Sequence, residues 1–236
     1  MKVSVIVPAY HEEKNIVQGL TDLIKTLDFL EIDYEIIVVV DGDPNTWLVA
    51  RTLEHPKVEF LTYERRSGKG HALIHGFKKC SGDVVIFWDA GTQISQESLK
   101  LAWRIFSFSG ADIVICSKRH PLSKVDYPLK RRIFSRICQL ASFLLFRLNV
   151  ADTQTGLKIY RREILDKIVP KIKTRGYAID IEMLVAARSI GYTRIFESPV
   201  DLSAFKFGGA VNYRAVRQVA LDMAKTLGRL LLKHYD

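Results

Sequence analysis

Oxygen-bearing side chains follow two strongly apolar segments of this sequence. Asp41 ends the segment EIIVVVD, Asp89 ends VVIFWD, and Gln93 comes four residues after Asp89. Oxygen ligands of this kind can hold the ribose of a nucleotide, or a divalent ion that bridges diphosphate oxygens. A carboxylate in such a place can instead cap the helix that follows it, and the residues alone leave both interpretations open.

A glycine-rich basic segment, RRSGKG, covers residues 65–70. It lacks the GxxxxGK[ST] spacing of a P-loop, so that class of nucleotide site is excluded. Lys69, between two glycines at a predicted helix start, still suits the binding of a diphosphate. His71 and His75 lie one helical turn apart, but the sequence offers no third ligand near them. We therefore predict packed or solvent-exposed histidines rather than a metal site.

Two further polar segments lie in the C-terminal half. The segment DTQTGLK, which includes Asp152 and Thr155, has the composition of a turn. Asp180 and Glu182 lie on a helical pattern, two residues apart, and therefore point to different sides of the helix. The simplest interpretation is that Asp180 caps the helix and that Glu182 forms an ion pair.

The first 117 residues alternate between strand and helix patterns. Continuous apolar segments predict buried strands, and apolar residues at helical spacing predict the helices between them. The predicted strands cover residues 3–8, 35–40, 58–62, 84–88 and 113–116, and the predicted helices cover residues 12–30, 46–53, 71–79 and 96–107. Glu12 and Glu13 are expected in the first helical turn, where the helix dipole favours acids. This alternation predicts an α/β fold with a mostly parallel sheet, whose ligands bind at the carboxyl ends of the strands.

The pattern changes after residue 120. Residues 129–150 and 210–234 predict two amphipathic helices that carry basic residues. The first has an apolar face wider than one core contact requires, so we expect it to lie in a membrane surface, with a core or dimer contact as the alternative. We see no linker or internal repeat, which predicts one domain over residues 1–236, with a first half over 1–117, a second over 118–205 and a helical tail over 206–236.

The positive charge is concentrated in two segments. The chain has a formal net charge of +9; residues 118–136 hold seven Lys or Arg and one acid, and residues 205–236 hold six and two. Such a local excess indicates an anionic partner: a phosphate, an acidic lipid or a nucleic acid. A nucleic acid is not expected, because the first segment has only two aromatic residues, Tyr127 and Phe134, and no recognition motif.

The composition excludes several classes of protein. Hydrophobic residues make up 48% of the chain and charged residues 26%, which is ordinary for a globular domain and unlike a disordered or coiled-coil protein. The three cysteines cannot form a disulfide framework. We recognise no signal peptide and no membrane-spanning segment. These features predict a cytoplasmic protein that associates peripherally with the cytoplasmic face of a membrane.

Four motifs, in order, resemble a known family. The segments VPAYHEEKNI, VVVDGDPN, RSGKGHALIHGF and VVIFWDAGTQ resemble successive signatures of the inverting glycosyltransferases of family two, which have the GT-A fold. Within that family, the segments ICSKRHPLSKVDYPLKRRIFSR, DTQTGLKIYRRE and GYAIDIEML resemble the dolichol-phosphate mannose and glucose synthases. The resemblance covers most of the chain but not the last helical tail.

The resemblance implies a Rossmann-like GT-A domain, whose first half binds a nucleotide sugar and whose second half binds the acceptor. The implied donor-binding residues are Pro8, Tyr10, Glu12, Asp41, Lys69 and Asp89, with Asp41 at the base and Lys69 at the diphosphate. Asp89 and Gln93 are the implied metal and ribose ligands. The implied catalytic residues are Asp89 and, around the lipid phosphate, Lys118, Arg131 and Ser135. Asp152, Thr155 and Asp180 are assigned to the acceptor side.

Three positions depart from the family pattern. Where the family has Asp-x-Asp, this chain has Asp89-Ala90-Gly91, so one acidic metal ligand is missing. His11 stands in place of an Asn, and only Asp41 remains of a pair of adjacent acids. We therefore expect a divalent ion, Mg²⁺ or Mn²⁺, that is held weakly.

The implied reaction transfers a hexose from a nucleotide sugar, of the GDP-mannose or UDP-glucose type, to a polyprenyl or dolichyl phosphate with inversion at the anomeric carbon. Because the acceptor phosphate is already an anion, its attack needs cations rather than a strong base. A related enzyme with a hydroxyl acceptor would use Asp180 as its base. A non-catalytic relative is a further alternative, because Gly91 removes a metal ligand.

Overall fold

The computed structural model describes residues 1–90, 94–125, 129–202 and 213–235, without the side chains of residues 129–135 and 213–215. The expectations for Gly91 and Gln93, and for the side chains of Arg131 and Ser135, therefore lie outside the described residues.

Seven strands of the described residues form one mostly parallel sheet. They are β1 (Lys2–Ala9), β2 (Asp33–Val40), β3 (Val58–Thr62), β4 (Val84–Phe87), β5 (Ile113–Ser117), β6 (Lys158–Arg161) and β7 (Ile195–Pro199). Their order across the sheet is β3-β2-β1-β4-β6-β5-β7. The pairs are parallel except where β6 runs antiparallel to β4 and β5. The α/β architecture expected from the sequence is confirmed.

The central strands are buried on both faces, which explains their continuous apolar sequences. Val5 and Val38 pack into the apolar core on one face of the sheet. Their neighbours Ile6 and Ile37 pack into a second core on the opposite face. Each strand therefore contributes alternate residues to two cores, and the helices cover both.

Eight α-helices occur among the described residues. They are α1 (Ile16–Phe29), α2 (Pro44–Ala50), α3 (Lys69–Phe77), α4 (Gln96–Ser109), α5 (Leu129–Phe146), α6 (Arg162–Ile168), α7 (Ile179–Ser189) and α8 (Tyr213–Leu231). Helices α1 and α4 pack on one face of the sheet, and α3, α6, α7 and α8 pack on the other. No helix in these parts of the chain is long and apolar enough to cross a membrane.

Several predicted helix boundaries differ from those in the structure. Helix α1 begins at Ile16, so Glu12 and Glu13 precede it and do not lie in its first turn. Helix α2 begins at Pro44, two residues earlier than predicted, because Asp43 caps it and proline suits the first helical position. Helices α5 and α8 end at Phe146 and Leu231, before their predicted ends at residues 150 and 234, and the predicted start of α8 at residue 210 lies outside the described residues.

The antiparallel strand brings its first residue to the edge of the sheet where the parallel strands end. Lys158 pairs with Phe87, the last residue of β4, and with Ile115 of β5. The side chains that follow β1, β2, β4 and β5 therefore share this edge with the start of β6.

Candidate active site

The carboxylate of Asp41, directly after β2, organises the glycine-rich loop before α3. It accepts hydrogen bonds from the Tyr63 hydroxyl (2.8 Å) and from the backbone N–H groups of Ser67 (2.6 Å) and Gly68 (2.9 Å). Asp41 is therefore not a helix cap, a role that Asp43 fills for α2. Its contact with a nucleotide base stays a prediction.

The loop after β1 lies beside this region. The guanidinium of Arg66 stacks over the ring of Tyr10, 4.0 Å from its centroid. Pro8 lies where β1 pairs with β2 but no longer with β4, so its missing N–H breaks no bond to β4. Burial raises the pKa of Glu12, and the negative charge of Asp89 adds to the shift. Glu12 therefore lies within electrostatic reach of Asp89, and Tyr10 lies against the glycine-rich loop.

Asp89, Lys69 and Asp180 meet at the sheet edge although they are far apart in sequence. The Nζ of Lys69 lies 3.0 Å from Oδ1 of Asp89 and 3.2 Å from Oδ2 of Asp180. A second ammonium, that of Lys158, lies 2.7 Å from Oδ1 of Asp180. The four side chains form a row of alternating charge, Asp89–Lys69–Asp180–Lys158, which we term the charge row.

The charge row changes the interpretation of both acids. Helix α7 has Ala178 at its N-cap position without a side-chain cap, so the prediction that Asp180 is a cap is wrong. Asp89 does not cap α4 either, because Ser95 does so by accepting the N–H of Ser98. Both carboxylates are instead engaged by Lys69.

The electrostatics of the charge row favour ionised groups. Burial disfavours the charge of Asp180, but the ammonium groups of Lys158 and Lys69 outweigh it and hold the pKa of Asp180 below its ordinary value. Burial likewise disfavours the charge of Lys69, but Asp180 and Asp89 outweigh it and raise the pKa of that lysine. Asp180 is therefore a weak proton acceptor near neutral pH, because its protonation would weaken two ion pairs.

Gly156 packs directly against the side chain of Asp89. A Cβ added at Gly156 would stand 2.6 Å from the Cβ of Asp89 and closer still to its carboxylate. A side chain at position 156 is therefore incompatible with the present position of Asp89. The turn that precedes β6 can lie against the end of β4 only because residue 156 is glycine.

Lys118, Asp152 and Thr155 form a compact acceptor-side cluster at the end of β5. The Nζ of Lys118 lies 2.7 Å from Oδ2 of Asp152 and donates to Oγ1 of Thr155 (2.8 Å). The Thr155 hydroxyl in turn donates to Asp152 (2.6 Å). Burial disfavours the charge of Asp152, but Lys118 outweighs it and lowers the pKa of Asp152 to about 2. The backbone carbonyl of Thr155 accepts a hydrogen bond from Lys158, which joins this cluster to the charge row.

The buried carboxylate of Glu182 ties α7 to the C-terminal tail. It accepts hydrogen bonds from Arg229 (2.7 Å), from the hydroxyl of Tyr235 (2.7 Å) and from the N–H of Thr174 (2.7 Å). The expected ion pair of Glu182 is confirmed. Asp180 and Glu182 bind different partners, as their spacing on the helix predicts.

The loop that Glu182 holds also supports the start of α3. The carbonyl of Arg175 accepts the N–H of Gly70 (2.7 Å). A Cβ at Gly70 would lie 2.8 Å from that carbonyl oxygen, so only glycine allows this approach. The position of Lys69, next to Gly70, thus depends on packing that extends to α8.

Helix α5 presents apolar side chains to solvent. Leu140, Phe143 and Leu144 are each at least half exposed. An open groove of about 420 Å³ beside this helix has Arg136, Leu140, Phe143 and Val150 in its lining. Arg131 and Ser135 belong to the same helix, and their predicted contacts with a lipid phosphate stay predictions.

Among the described residues, Asp89 fits the divalent ion that is expected at a donor site. Its side chain is 28% exposed, and its two oxygens lie 3.0 Å and 3.3 Å from the Nζ of Lys69. Mg²⁺ in such sites commonly takes one or two carboxylates and completes its shell with substrate phosphates and water. One partly exposed carboxylate matches that donor set, whereas Gln93, the other expected ligand, lies outside the described residues.

A different group of potential ligand atoms lies in the neighbouring loops. His11, Glu13 and Asp43 place such atoms within 4.8 Å of one another. The Asp43 carboxylate, however, already caps α2 and accepts the N–H of His11 (2.9 Å). These contacts give the group a structural role in joining the first two loops.

The two histidines of α3 pack against one tyrosine. The ring of Tyr63 lies edge-on to His71 and His75, with centroids 4.9 Å and 5.6 Å away. Burial lowers the pKa of His71, and the positive charge of Arg175 adds to that effect. The histidines therefore contribute to packing between α3 and the end of β3.

Lys158 and Gly156 were missed by sequence reasoning. A lysine just after a polar turn is ordinarily solvent-exposed, yet Lys158 is 0% exposed. The sequence signal that could have indicated burial is that Lys158 stands between two apolar residues, Leu157 and Ile159, at the start of a short strand. Gly156 carries no signal of its own, because glycine in a turn needs no further explanation.

Comparisons with known proteins agree with the geometry. Residues 4–169 match the family Glycosyl transferase family 2. The glycosyltransferase AglD of Haloferax volcanii is 31% identical over 207 residues, which cover 85% of this chain and 33% of that protein. The dolichol-phosphate mannosyltransferase of Pyrococcus furiosus is 31% identical over 215 residues, which cover 88% of this chain and 57% of that protein. The undecaprenyl-phosphate mannosyltransferase of Micrococcus luteus is 28% identical over 232 residues, which cover 93% of both chains. The chain thus spans about a third of the length of the first of these relatives and somewhat over half of the length of the second.

Solved structures show the same fold. Glucosyl-3-phosphoglycerate synthase from Mycobacterium tuberculosis, in complex with Mn²⁺, UDP-glucose and phosphoglyceric acid, aligns with a TM-score of 0.73 at 19% identity, over 96% of this chain and 80% of that one. Mannosyl-3-phosphoglycerate synthase from Rubrobacter xylanophilus aligns with a TM-score of 0.72 at 17% identity, over 98% and 74%. These likenesses confirm the GT-A fold. Since the family match covers most of the chain and includes β1 to β6, this protein belongs to glycosyl transferase family 2.

Proposed function

We propose that this protein transfers a hexose from a nucleotide sugar to a polyprenyl phosphate, with inversion at the anomeric carbon. One observation carries the proposal: the Asp89–Lys69 pair and the Lys118–Asp152–Thr155 cluster stand at one sheet edge, joined through Lys158. Two relatives named for transfer to dolichol phosphate and undecaprenyl phosphate support the class of acceptor. The complex of a structural neighbour with UDP-glucose supports the class of donor.

On the donor side, the chain's own contribution is the placement of one cation and one anion. Lys69 is held by two carboxylates, so its ammonium is fixed before the substrate arrives. A fixed positive charge beside the leaving diphosphate stabilises the negative charge that develops there. A divalent ion bound by Asp89 and the diphosphate would supply further positive charge at the same place.

On the acceptor side, the ionised state of Asp180 favours a phosphate over a hydroxyl. A hydroxyl acceptor needs a general base, and the pKa of Asp180 is held below its ordinary value by two lysines. A phosphate monoester carries its own negative charge and needs only to be placed in line with the leaving group. We propose that Lys118 binds the acceptor phosphate, with Arg131 and Ser135 as its partners.

We further propose that α5 lies on the surface of a membrane, on its cytoplasmic side. Its exposed Leu140, Phe143 and Leu144 suit the boundary between headgroups and acyl chains. Basic residues near an anionic surface contribute about 1 kcal/mol each, so residues 118–136 would add to this binding. The groove beside Arg136 would then accept the first units of the lipid chain.

The test is a transfer assay with radiolabelled GDP-mannose and UDP-glucose, and with polyprenyl phosphate in phospholipid vesicles. We expect label from one of the two donors in the organic phase, attached to the lipid through a phosphodiester. NMR of the product should show the anomeric configuration opposite to that of the donor. If neither donor gives labelled product, the result would favour a non-catalytic relative.

The Asp180→Asn variant separates the two acceptor classes. Loss of a general base costs about 10²–10⁴-fold in rate, whereas the proposed mechanism asks no proton transfer of Asp180. We expect turnover within about tenfold of wild type, with the fold verified by circular dichroism. Loss beyond a hundredfold, together with labelling of a hydroxyl acceptor, would reject the lipid-phosphate proposal.

A further inference from the structure

Lys158 is a fully buried lysine at the junction of the donor and acceptor sides. It begins β6, the antiparallel strand, and stands beside the end of β4 and the middle of β5. Its ammonium contacts Oδ1 of Asp180 at 2.7 Å and donates to the backbone carbonyl of Thr155. Its side chain is 0% exposed, so it cannot touch a substrate in this structure.

Asp180 is shared between two lysines through its two oxygens. Oδ1 faces Lys158, and Oδ2 lies 3.2 Å from the Nζ of Lys69. Lys69 in turn divides its contacts between Asp180 and Asp89, and unlike Lys158 it is 13% exposed. A change in the charge of Asp180 therefore alters the electrostatic environment of Lys69, which borders the proposed donor site.

We propose that Lys158 is a positioning residue that neutralises Asp180, so that Lys69 remains shared with Asp89 and offers its positive charge to the donor diphosphate. This inference rests on the proposed function, because it assumes an anionic nucleotide donor beside Lys69. Lys158 acts through Asp180 and Lys69 rather than by contact with substrate.

The charges of the row explain why this residue matters. With Lys158 present, two carboxylates and two ammonium groups cancel. Without it, Asp180 would carry an uncompensated buried charge and compete with Asp89 for the single remaining ammonium. The site would then be more negative by one unit, which opposes the binding of a diphosphate.

Burial itself acts against the charged form of Lys158. Burial lowers the pKa of Lys158, while the nearby carboxylate of Asp180 opposes that effect. The 2.7 Å contact and the lowered pKa of Asp180 are both those of an ion pair. Neutralisation of Asp180 thus comes from a group that bulk solvent does not reach and salt screens little.

The experiment is a double-mutant cycle with nucleotide affinity as its readout. Lys158→Met keeps a long apolar stem and removes the charge, and Asp180→Asn removes the charge that Lys158 neutralises. Calorimetry with GDP and UDP in the presence of Mn²⁺ gives Kd for wild type, both single variants and the double variant. Arg194→Met is the control, because it breaks an ion pair outside the charge row, between Arg194 and Asp112 (2.8 Å).

We expect Lys158→Met to weaken nucleotide binding about tenfold, and Lys158→Met/Asp180→Asn to bind within about threefold of wild type, because the charges again cancel. Arg194→Met should bind as wild type does. A purely structural role for Lys158 predicts instead that the loss persists in the double variant. That result, or an unchanged Kd in Lys158→Met, overturns the inference.

Two further outcomes are informative. If Lys158→Met does not fold, the double variant decides alone: affinity within threefold of wild type supports the inference, and a tenfold loss overturns it. If wild-type protein binds neither nucleotide, the proposed donor class fails and this inference fails with it. Wild-type binding without a response to Lys158→Met rejects the inference and leaves the proposed function standing.

Discussion

Replacement of Gly156 by alanine is expected to displace Asp89 and to slow sugar transfer about a hundredfold. The added Cβ would stand 2.6 Å from the Cβ of Asp89. Non-bonded carbon atoms approach to about 3.5 Å, so Asp89 has to move by about 1 Å. That movement opens its 3.0 Å contact with Lys69. A misplacement of about 1 Å can cost about 10²-fold in rate, or about 2.7 kcal/mol in the activation barrier.

The chain offers a matched control for this substitution. A Cβ at Gly19, in α1, would lie 3.5 Å from the carbonyl oxygen of Ala90, which is an ordinary contact. Gly19→Ala therefore introduces the same methyl group next to the neighbour of Asp89 without moving it. Because alanine is favoured over glycine within a helix by up to about 1 kcal/mol, this variant should transfer sugar normally and melt slightly higher.

The assay compares kcat at saturating donor and lipid phosphate, with thermal melting as a measure of the fold. For Gly156→Ala we expect a large loss of kcat with a smaller loss of stability, because the atoms that the new Cβ approaches most closely are those of the Asp89 carboxylate rather than backbone atoms. A folded Gly156→Ala protein with kcat within about threefold of wild type would refute the argument that Asp89 must occupy this position.

Three further predictions concern the acceptor, the acid stability and the metal. Arg131→Ala should raise the KM for polyprenyl phosphate at least tenfold while the Kd for nucleotide stays constant; equal effects on both substrates would contradict the assignment. The pKa of Asp152 is lowered to about 2 in the folded protein. Its ionised carboxylate therefore adds about 2 kcal/mol to the free energy of unfolding above about pH 4, and this contribution is lost as the pH falls towards 2. Denaturant unfolding between pH 4 and pH 2 should therefore show a flatter decline for Asp152→Asn than for wild type, and parallel curves would disprove the linkage. Gly91→Asp should tighten Mn²⁺ binding in the presence of nucleotide, and unchanged calorimetry would count against Asp89 as a ligand.

The parallel strands were predictable because double burial leaves a strong pattern. In β1, β2 and β4 nearly every side chain faces a core, so the sequence shows unbroken apolar runs. Strand β6 was not predictable in the same way. It has four residues, begins with a lysine and follows a polar turn, and its antiparallel entry between β4 and β5 depends on contacts distant in sequence.

The site was predictable as a set of residues but not as a set of contacts. Asp89, Lys69 and Asp180 each stand at an element end that the sequence marks. Their mutual pairing depends on the placement of α7 against α3, which one sequence does not reveal. The capping interpretation of Asp180 failed for this reason, since a local rule was applied to a side chain whose partners are 22 and 111 residues away.

The insertion of β6 also has a consequence for synthesis of the chain. Among the described strands, β5 pairs with β6 and β7 and not with β4, so β4 has an open edge until β6 arrives. A ribosome adding about 5–20 residues per second needs roughly 4–14 seconds to pass from the end of β4 to the start of β6. During that interval an apolar strand edge is free to pair with another nascent chain. Aggregation in a cell should therefore depend on the translation speed of residues 88–158 more than on the stability of the finished fold.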